Sequence, residues 1–424
     1  MKRIRFWAAA GRTLAVVTLT LIVVLMLVPG SWAAEYKALH KFKGGKDGAS
    51  PQAGLIFDPA GNLYGTTYAG GRSSLCDGGC GTVFKLTSNG GGSWTKSVLH
   101  SFHYTDGSAP SASLILDAAG NLYGTTAGGG IYGMGTVFQL TPNGHVGWTE
   151  SVIHSFVYNF VDGYTPEAAL IFDQAGNLYG TTRNGGTGCS GGHEGGCGTV
   201  FQLTPNGDGS WTENIIHSFT NDCPGGVCDG LNPLAGLIVD AAGNLYGTTP
   251  IGGDADWGTV FELKPNGEGT WAESILHSFM NIDGDPQAGL IFDAAGNLYG
   301  TSAEGGSYNH GTVFKLIPNP DGSWTENVLH SFTGGKDGDG PCAGLILDGA
   351  GNLYGTTLNG GTNNSGTVFK LILQPGGSWK FTTLHRFKYG QEPQAVLVMD
   401  AAGNLYGTAP KGGRGYGVVF RITP

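Results

Sequence analysis

The chain has 424 residues, of which 78 are glycine and 40% are hydrophobic, and its formal net charge is −10 at pH 7. This acidity argues against nucleic acids and anionic membrane surfaces as partners, because both are bound through clustered lysine and arginine side chains. The glycines recur at regular places between aromatic and branched residues, which is typical of turns in a β fold rather than of a disordered chain.

The first 33 residues have the pattern of an export signal. Four basic side chains accompany an apolar run over residues 14–28, and Ser31 and Ala33 place small side chains at the −3 and −1 positions of a cleavage site. The run is about 15 residues long, whereas a membrane-spanning helix needs roughly 20. We therefore expect a cleaved signal peptide rather than an uncleaved anchor. Loss of the four cations lowers the net charge from −10 to −14.

Residues 34–424 contain no second long apolar stretch, so we expect no membrane insertion after cleavage. We expect them to form a single domain that is monomeric and either secreted or periplasmic, with association to the cell surface as an alternative.

A repeat of about 57 residues runs through this part of the chain. Its signature Gly-Asn-Leu-Tyr occurs seven times, with the asparagine at positions 62, 121, 177, 244, 297, 352 and 404. In the first unit, four strand-sized segments cover residues 54–58, 63–67, 81–87 and 94–102, and Gly, Asn, Asp or Pro bound each of them. Four short antiparallel strands per unit predict an all-β fold, a seven-bladed β-propeller with one blade per unit.

The ends of the array predict a closed ring. The last unit contains segments 396–400, 405–409 and 417–423 but no fourth strand. Residues 36–42, Tyr-Lys-Ala-Leu-His-Lys-Phe, have the Leu-His-x-Phe ending of the fourth strands. We therefore expect the N-terminal strand to complete the C-terminal blade, which leaves only short outer edges unpaired. An open solenoid would carry polar caps on its terminal repeats instead.

The repeat resembles known families. The segment Asp-x-Ala-Gly-Asn-Leu-Tyr is similar to the Asp-x-x-Gly-Asn-x-aromatic hairpin of many propellers, including those with NHL-type repeats. The longer unit, Gly-Asn-Leu-Tyr-Gly-Thr followed by Gly-Thr-Val-Phe-x-Leu and Leu-His-x-Phe, is similar to the GloVer (Gloeo/Verruco) tandem repeat of exported bacterial proteins. This resemblance covers nearly all of residues 34–424. It implies export and a repeat architecture, and it implies no particular activity.

Histidine recurs at one equivalent position in the fourth strand of each unit. Because this strand is expected to be outermost, the imidazoles would be spread around the rim, too far apart to share one zinc ion. We expect each of them to have a structural role, such as a hydrogen bond to a loop. The set comprises His40, His100, His154, His217, His277, His330 and His385.

Two aspartate series invite a cation-binding interpretation. The first ends the innermost predicted strand, where we favour turn capping over a ring of cation ligands. It comprises Asp58, Asp117, Asp173, Asp240, Asp293, Asp348 and Asp400. The second precedes glycine in the loops between units, where a calcium site is an alternative to a turn. We favour the turn, because calcium takes six or more oxygens and each loop offers one or two carboxylates. The second series comprises Asp47, Asp106, Asp162, Asp229, Asp283 and Asp337.

The recurrent aromatic residues predict packing between sheets. The tyrosine of each Gly-Asn-Leu-Tyr, the phenylalanine of each Val-Phe and the six tryptophans that begin fourth strands, from Trp94 to Trp379, are large enough to fill the gap of about 10 Å between stacked sheets.

Six of the seven cysteines form close pairs that predict local disulfides in an exported chain. The pairs are Cys76 with Cys80, Cys189 with Cys197, and Cys223 with Cys228, and Cys342 remains single. A soft-metal site from Cys189, His193, Glu194 and Cys197 is an alternative, but oxidation of the two thiols is favoured. We expect no metal and no other cofactor.

The loops between second and third strands and between blades must share one face, because consecutive strands alternate in direction. This face, here called the variable face, differs in length and content from unit to unit, and ligand sites of propellers commonly lie there. We take the residues that break the symmetry as ligand-binding candidates. They are Arg72, Tyr132, Arg183, His193, Glu194, Asp254, Asp256, Trp257, Tyr308, His310, Lys411 and Arg414.

No sequence motif identifies a reaction or a catalytic residue. Gly188-Cys189-Ser190-Gly191-Gly192 fits the letters of a nucleophile elbow but lies in a loop with no following helix. The favoured function is a binding scaffold for an extracellular glycan, peptide or protein. The alternatives are a polysaccharide lyase or hydrolase with an asymmetric acid and base at the channel mouth, and a structural envelope or adhesive protein.

Overall fold

The computed structural model describes residues 34–144, 147–189, 195–221, 228–267, 269–388 and 390–424. These residues form seven four-stranded antiparallel sheets, which are the blades of a β-propeller. From the channel outwards, each blade has a strand of two residues, a strand of five, and two strands of six to eight. No helix of the described part of the chain is long and apolar enough to cross a membrane.

The strands are numbered in chain order, starting with β1 (Glu35–Lys41). Blade 1 contains β2 (Ile56–Phe57), β3 (Leu63–Thr67), β4 (Thr82–Ser88) and β5 (Trp94–Ser101). Blade 2 contains β6 (Ile115–Leu116), β7 (Leu122–Thr126), β8 (Thr136–Pro142) and β9 (Trp148–Ser155). After β10 (Gly163–Tyr164), blade 3 contains β11 (Ile171–Phe172), β12 (Leu178–Thr182), β14 (Thr199–Pro205) and β15 (Trp211–Ser218), with β13 (Asn184–Gly185) in the loop after β12.

After β16 (Cys228–Leu231), blade 4 contains β17 (Ile238–Val239), β18 (Leu245–Thr249), β20 (Thr259–Pro265) and β21 (Trp271–Ser278), with β19 (Ile251–Gly253) in the loop after β18. Blade 5 contains β22 (Ile291–Phe292), β23 (Leu298–Ser302), β24 (Thr312–Pro318) and β25 (Trp324–Ser331). Blade 6 contains β26 (Ile346–Leu347), β27 (Leu353–Thr357), β28 (Thr367–Leu373) and β29 (Trp379–Arg386). Blade 7 contains β30 (Val398–Met399), β31 (Leu405–Ala409), β32 (Val418–Thr423) and β1.

The loops add regular structure that the repeat pattern does not predict. β10 pairs with β13 and β16 pairs with β19 as small two-stranded sheets. One-turn 3-10 segments cover Gly45–Asp47 and Thr362–Asn364. All of these lie on the variable face, so they enlarge the loops without altering the blades.

The predicted ring closure is confirmed by the pairing of the two chain ends. β1 runs antiparallel to β32, from Glu35 opposite Thr423 to Lys41 opposite Val418. Phe42, which follows β1, is fully buried and packs edge-on against Phe84 of blade 1 at 5.3 Å between ring centroids. The N-terminal segment therefore completes blade 7 and also packs against blade 1 through Phe42.

The seven blade junctions share three kinds of contact. A phenylalanine after the outermost strand meets a phenylalanine of the next blade at 5.0 to 5.3 Å. A threonine hydroxyl near the channel donates to an alanine carbonyl of the next blade at 2.7 to 3.4 Å. The bond from Thr408 to Ala53 closes this circle at 2.7 Å. The glycine before each third strand lies against a proline of the next blade, as Gly417 does against Pro51.

The innermost strands are shorter than predicted, since β2 covers only Ile56–Phe57 of the expected segment 54–58. The preceding backbone is engaged by the neighbouring blade, because the carbonyl of Ala53 accepts its hydrogen bond from Thr408. The second strands β3 and β31 have the predicted bounds.

The aspartate that ends each innermost strand caps the following turn. In blade 1, Oδ1 of Asp58 accepts hydrogen bonds from the amides of Ala60 and Asn62, and Oδ2 accepts from the side chains of Asn62 and Tyr64. Partial burial by itself would raise the pKa of Asp58, but the hydrogen bonds from Asn62 and Tyr64, with help from the charge of Lys85, outweigh it and the pKa is lowered. The carboxylate is thus fully engaged in the turn, as turn capping requires.

Candidate functional site

The mouth of the channel on the variable face is a small cup. Its wall is made by the residues just before each innermost strand and, in three blades, by the first residue of that strand, and its volume is about 270 Å³. Val396 of blade 7 packs so closely on the neighbouring blade 1 that a Cβ added to Gly54 would lie 2.6 Å from its Cγ1. The small and apolar residues at this level are therefore closely packed from blade to blade.

Seven equivalent wall positions give the cup its chemistry. In each blade an alanine follows the wall position, but the position itself carries amides, a hydroxyl, a carboxylate, an aliphatic side chain or a thiol. The residues are Gln52, Ser111, Glu167, Leu234, Gln287, Cys342 and Gln394. The backbone of the cup thus repeats seven times, while its hydrogen-bonding groups do not.

The acidic groups near the wall are concentrated on two sides. Glu167 lies 3.6 Å from Arg183, and burial raises its pKa although the charge of Arg183 opposes the shift. Asp285 accepts a hydrogen bond from the side chain of Gln287 at 2.7 Å. Burial raises the pKa of Asp285. The charge of Glu304 adds to this shift, and the hydrogen bond from Gln287 opposes it. The mouth therefore carries two carboxylates in different settings.

Two wall residues have polar atoms without a strong partner. The hydroxyl of Ser111 is buried and has no hydrogen-bond partner among the described residues. Cys342 is a free thiol, as expected from its lack of a nearby cysteine, and burial raises its pKa to about 11. The hydroxyl of Ser111 is therefore a wall group whose hydrogen-bonding capacity the described residues leave unused.

The candidates taken from the sequence are spread over the loops of different blades. Of the ten that the described chain includes, none lines the cup. Arg183 comes nearest, through Glu167. Those with exposed side chains are Arg72, Tyr132, Arg183, Asp254, Asp256, Tyr308, Lys411 and Arg414. His193 and Glu194 lie outside the described residues.

Several of these candidates have local structural partners. Nδ1 of His310 lies 3.0 Å from Asp339, and Lys411 forms an ion pair with Glu392 at 2.6 Å. Asp256 accepts a hydrogen bond from the amide of Gly252. Trp257 packs against the core between blades 4 and 5. These contacts support the loops and do not bring the residues together.

The cysteines are disulfide-bonded where the structure describes both partners. Cys76 is bonded to Cys80 and Cys189 to Cys197, so the thiols needed for a soft-metal site at Cys189 are consumed. Cys228 is disulfide-bonded, and its predicted partner Cys223 lies outside the described residues. Disulfides of this kind are typical of an oxidising compartment.

A second group of sites lies at the outer rim, between blades, and the sequence analysis missed it. In four junctions, the rim histidine, the loop aspartate and a glutamate of the next blade offer ligand atoms that all lie within 4.8 Å of one another. We call these the rim clusters. They are His100, Asp106 and Glu150; His154, Asp162 and Glu213; His217, Asp229 and Glu273; and His277, Asp283 and Glu326.

A β-bulge positions each rim histidine. In blade 1, Val83 is opposite His100 but the next residue, Phe84, is opposite Val98, so the strand has one extra residue at Leu99. The same shift occurs in every blade. A bulge re-aims the side chains around it, and here it places the imidazole beside the loop aspartate. His40, His100 and His330 hydrogen-bond their loop aspartates at 3.0 to 3.2 Å.

The rim glutamates are removed from water. Burial raises the pKa of Glu150 and of Glu213 to about 7, and it raises the pKa of Glu273 and of Glu326 to about 8. Burial also lowers the pKa of His277. Each cluster therefore combines two carboxylates with an imidazole in surroundings that disfavour uncompensated charge.

The remaining three junctions replace the glutamate. Lys96 occupies its position beside His40, Phe381 stacks on His330 with 4.0 Å between ring centroids, and Tyr36 stacks on His385 with 4.5 Å. The signal that could have revealed the clusters is the glutamate two residues after the tryptophan of four fourth strands. Within one unit it resembles any exposed strand residue, because its partners belong to the preceding blade.

The fold and the asymmetric mouth define the class of the protein: a seven-bladed β-propeller with rigid repeated blades and a variable loop face. The family model of the Gloeobacter/Verrucomicrobia repeat matches residues 29–193, 188–388 and 272–424. The chain therefore belongs to the Gloeobacter/Verrucomicrobia repeat family.

Solved structures resemble the chain in fold. Virginiamycin B lyase from Staphylococcus aureus has a TM-score of 0.55 and 11% identity, covering 92% of this chain and 99% of its own. A putative 6-phosphogluconolactonase from Bacteroides uniformis has a TM-score of 0.53 and 12% identity, covering 86% of this chain and 95% of its own. The comparison with curated proteins found no significant match. At these identities the likeness shows the propeller fold alone.

Proposed function

We propose that this protein is an exported binding scaffold that holds part of a polar extracellular ligand in the cup at its channel mouth. A glycan suits the cup better than a peptide or protein. The observation that carries the proposal is the broken symmetry of the wall: the alanine is kept in all seven blades, whereas the wall position varies among Gln, Ser, Glu, Leu and Cys. A position that served only to pack the blades would have the same neighbours seven times and no reason to vary.

The size and polarity of the cup favour one sugar unit as its occupant. Its volume of about 270 Å³ lies just below the range of roughly 300 to 1,000 Å³ for sites of drug-sized ligands. Three glutamines, Ser111 and Glu167 supply donors and acceptors, and the wall has no aromatic side chain among the described residues. Sugar hydroxyls both donate and accept hydrogen bonds, so they match this mixture of amide, hydroxyl and carboxylate groups.

Export is supported by the leader pattern of residues 1–33 and by the disulfides. The acidic net charge supports a partner other than nucleic acid. In this role the protein acts as a monomer outside the cytoplasm.

Glycan and peptide arrays probed with residues 34–424 test the proposal. We expect glycan binding that Gln287→Ala weakens about tenfold, since one lost hydrogen bond of about 1.4 kcal/mol has this effect. Tyr308→Ala, an exposed residue of a loop outside the cup, is the matched control and should leave binding unchanged.

The rival functions give different results. Turnover of a polysaccharide would favour a lyase or hydrolase and contradict the scaffold. Binding that is equally impaired by Tyr308→Ala would move the site off the cup. No binding on either array would leave the structural or adhesive role and refute the proposal.

A further inference from the structure

The rim clusters contain buried polar atoms that the protein itself does not satisfy. Asp162 is only 6% exposed, and its Oδ1 has no hydrogen-bond partner among the described residues. The Oε1 atom of the glutamate in each cluster is likewise buried without a hydrogen-bond partner among the described residues, and so is Nε2 of three of the histidines. These residues are Glu150, Glu213, Glu273 and Glu326, and His154, His217 and His277. Leaving such atoms unpaired is costly, and native proteins rarely do so. Repetition of the same orphaned atoms at four junctions points to a common missing partner.

Charge identifies the kind of partner. Each cluster holds two carboxylates and one imidazole, and the described ion pairs give these glutamates no lysine or arginine. Two carboxylates at this separation would repel each other in a low-dielectric setting if both were ionised. A cation between them would remove the repulsion and occupy the orphaned lone pairs at once.

The junction between blades 7 and 1 has a cation at this place. There Lys96 replaces the glutamate, its side chain is only 4% exposed, and Nζ lies 3.1 Å from Oδ1 of Asp47. At the two aromatic junctions the second carboxylate is absent, and a ring covers the imidazole of His330 or His385. Across the seven junctions, the glutamate is thus present only where neither an ammonium group nor an aromatic ring takes its position.

We propose that each rim cluster binds one divalent transition-metal ion, with zinc(II) as the ion that fits the donors best. The ligands are Nε2 of the histidine and one oxygen each of the loop aspartate and of the glutamate from the next blade. Three protein ligands leave a fourth, tetrahedral position for water. Calcium fits poorly, because it takes six to eight oxygens and no nitrogen.

The distances agree with this assignment. Ligand atoms bound tetrahedrally at 2.0 to 2.2 Å to one ion lie roughly 3.3 to 3.6 Å apart. The closest separations between Nε2 and a carboxylate oxygen in the clusters are 3.0 to 3.9 Å, so shifts of about 0.3 Å would bring these atoms to that spacing. Backbone amides already orient the loop aspartates, as Val157 does for Asp162 and Thr220 does for Asp229, each at 2.9 Å. Such outer contacts are a regular part of metal sites.

The ions would tie neighbouring blades together. In every cluster the histidine lies in the outermost strand of one blade and the aspartate in the loop after it, whereas the glutamate comes from the outermost strand of the next blade. The four clusters link blades 1 to 5 in series. Because the ligands meet only in the folded ring, zinc would bind the folded state alone and stabilise it by mass action. A zinc-binding ring differs from the protein without metal that we expected from the sequence.

Zinc binding by the untagged protein, stripped with a chelator and dialysed against zinc(II) at pH 7.5, tests the proposal. We expect about four zinc ions per chain, a higher melting temperature with zinc than without, and about three ions after Glu213→Gln. Asp337→Asn is the matched control, because this loop aspartate belongs to a junction without a glutamate, and it should leave the count at four.

A gain of binding guards against variants that merely fold poorly. Lys96→Glu rebuilds the cluster residues beside His40 and Asp47, and we expect a fifth zinc ion. Cobalt(II), added in place of zinc, should give the visible absorption of a site with low coordination number. A stripped protein that takes up fewer than one zinc per chain overturns the proposal. So does a count of four that neither Glu213→Gln nor Lys96→Glu changes.

Discussion

The closure of the ring can be tested at Phe42, whose side chain joins blade 7 to blade 1. The side chain is fully buried, meets Phe84 at 5.3 Å and packs with Leu55 and Leu63. Phe219 is its equivalent at the junction of blades 3 and 4, also fully buried and 5.2 Å from its partner ring. The two residues occupy equivalent positions, but Phe42 belongs to the N-terminal segment and has the ammonium group of Lys96 5.2 Å from its ring centroid.

Truncation of a fully buried phenylalanine to alanine costs about 3 to 5 kcal/mol, from lost burial and the cavity left behind. Since β1 is also held by six residue pairs with β32, its end should be as firmly placed as an internal strand. We therefore expect Phe42→Ala and Phe219→Ala to lower the free energy of unfolding by the same amount, within about 1 kcal/mol.

Urea-induced unfolding followed by tryptophan fluorescence measures both variants, and equal m-values would show that the same surface unfolds. Leu75→Ala, at a side chain that is 68% exposed, is the control and should change stability by less than about 0.5 kcal/mol. A cost below about 1 kcal/mol for Phe42→Ala, beside the full cost for Phe219→Ala, would refute closure by the N-terminal strand.

Three further predictions concern single residues. Gly311→Ala should destabilise by about 1 to 3 kcal/mol more than Gly296→Ala, because both residues have positive φ but only at Gly311 does an added Cβ meet a neighbour, at 2.5 Å; equal urea midpoints would contradict this. Burial and the charge of Lys388 lower the pKa of His385 from 6.5 to about 4, so the unfolded chain binds this proton first as pH falls and the free energy of unfolding should decrease from pH 6.5 to 4. His385→Phe should remove that part of the pH dependence, and an unchanged profile would show that the imidazole is not buried. The pKa of Cys342, raised to about 11, should prevent alkylation of the native protein at pH 8 while urea permits it; rapid native alkylation, followed by mass spectrometry, would be the opposite result.

The sequence determined those features that arise within one repeat unit. Strand alternation and turn residues lie close together along the chain, so the seven units and the bounds of β3 and β31 could be predicted. The role of Asp58 as a turn cap follows from the same local spacing, since its partners are the next few residues. Closure could be predicted because Phe42 ends a segment that repeats the fourth-strand pattern.

Only the tertiary structure decided which side chains meet between blades. Glu150 lies in the blade next to that of His100, although it comes 50 positions later in the chain. Its place in the strand pattern predicts an exposed side chain, but its Oε1 is buried. The cup likewise assembles single residues from all seven blades, among them Gln52 and Gln394. Hydrogen-bonding patterns within a unit depend on neighbours in sequence, whereas burial and charge at a junction depend on how two units pack.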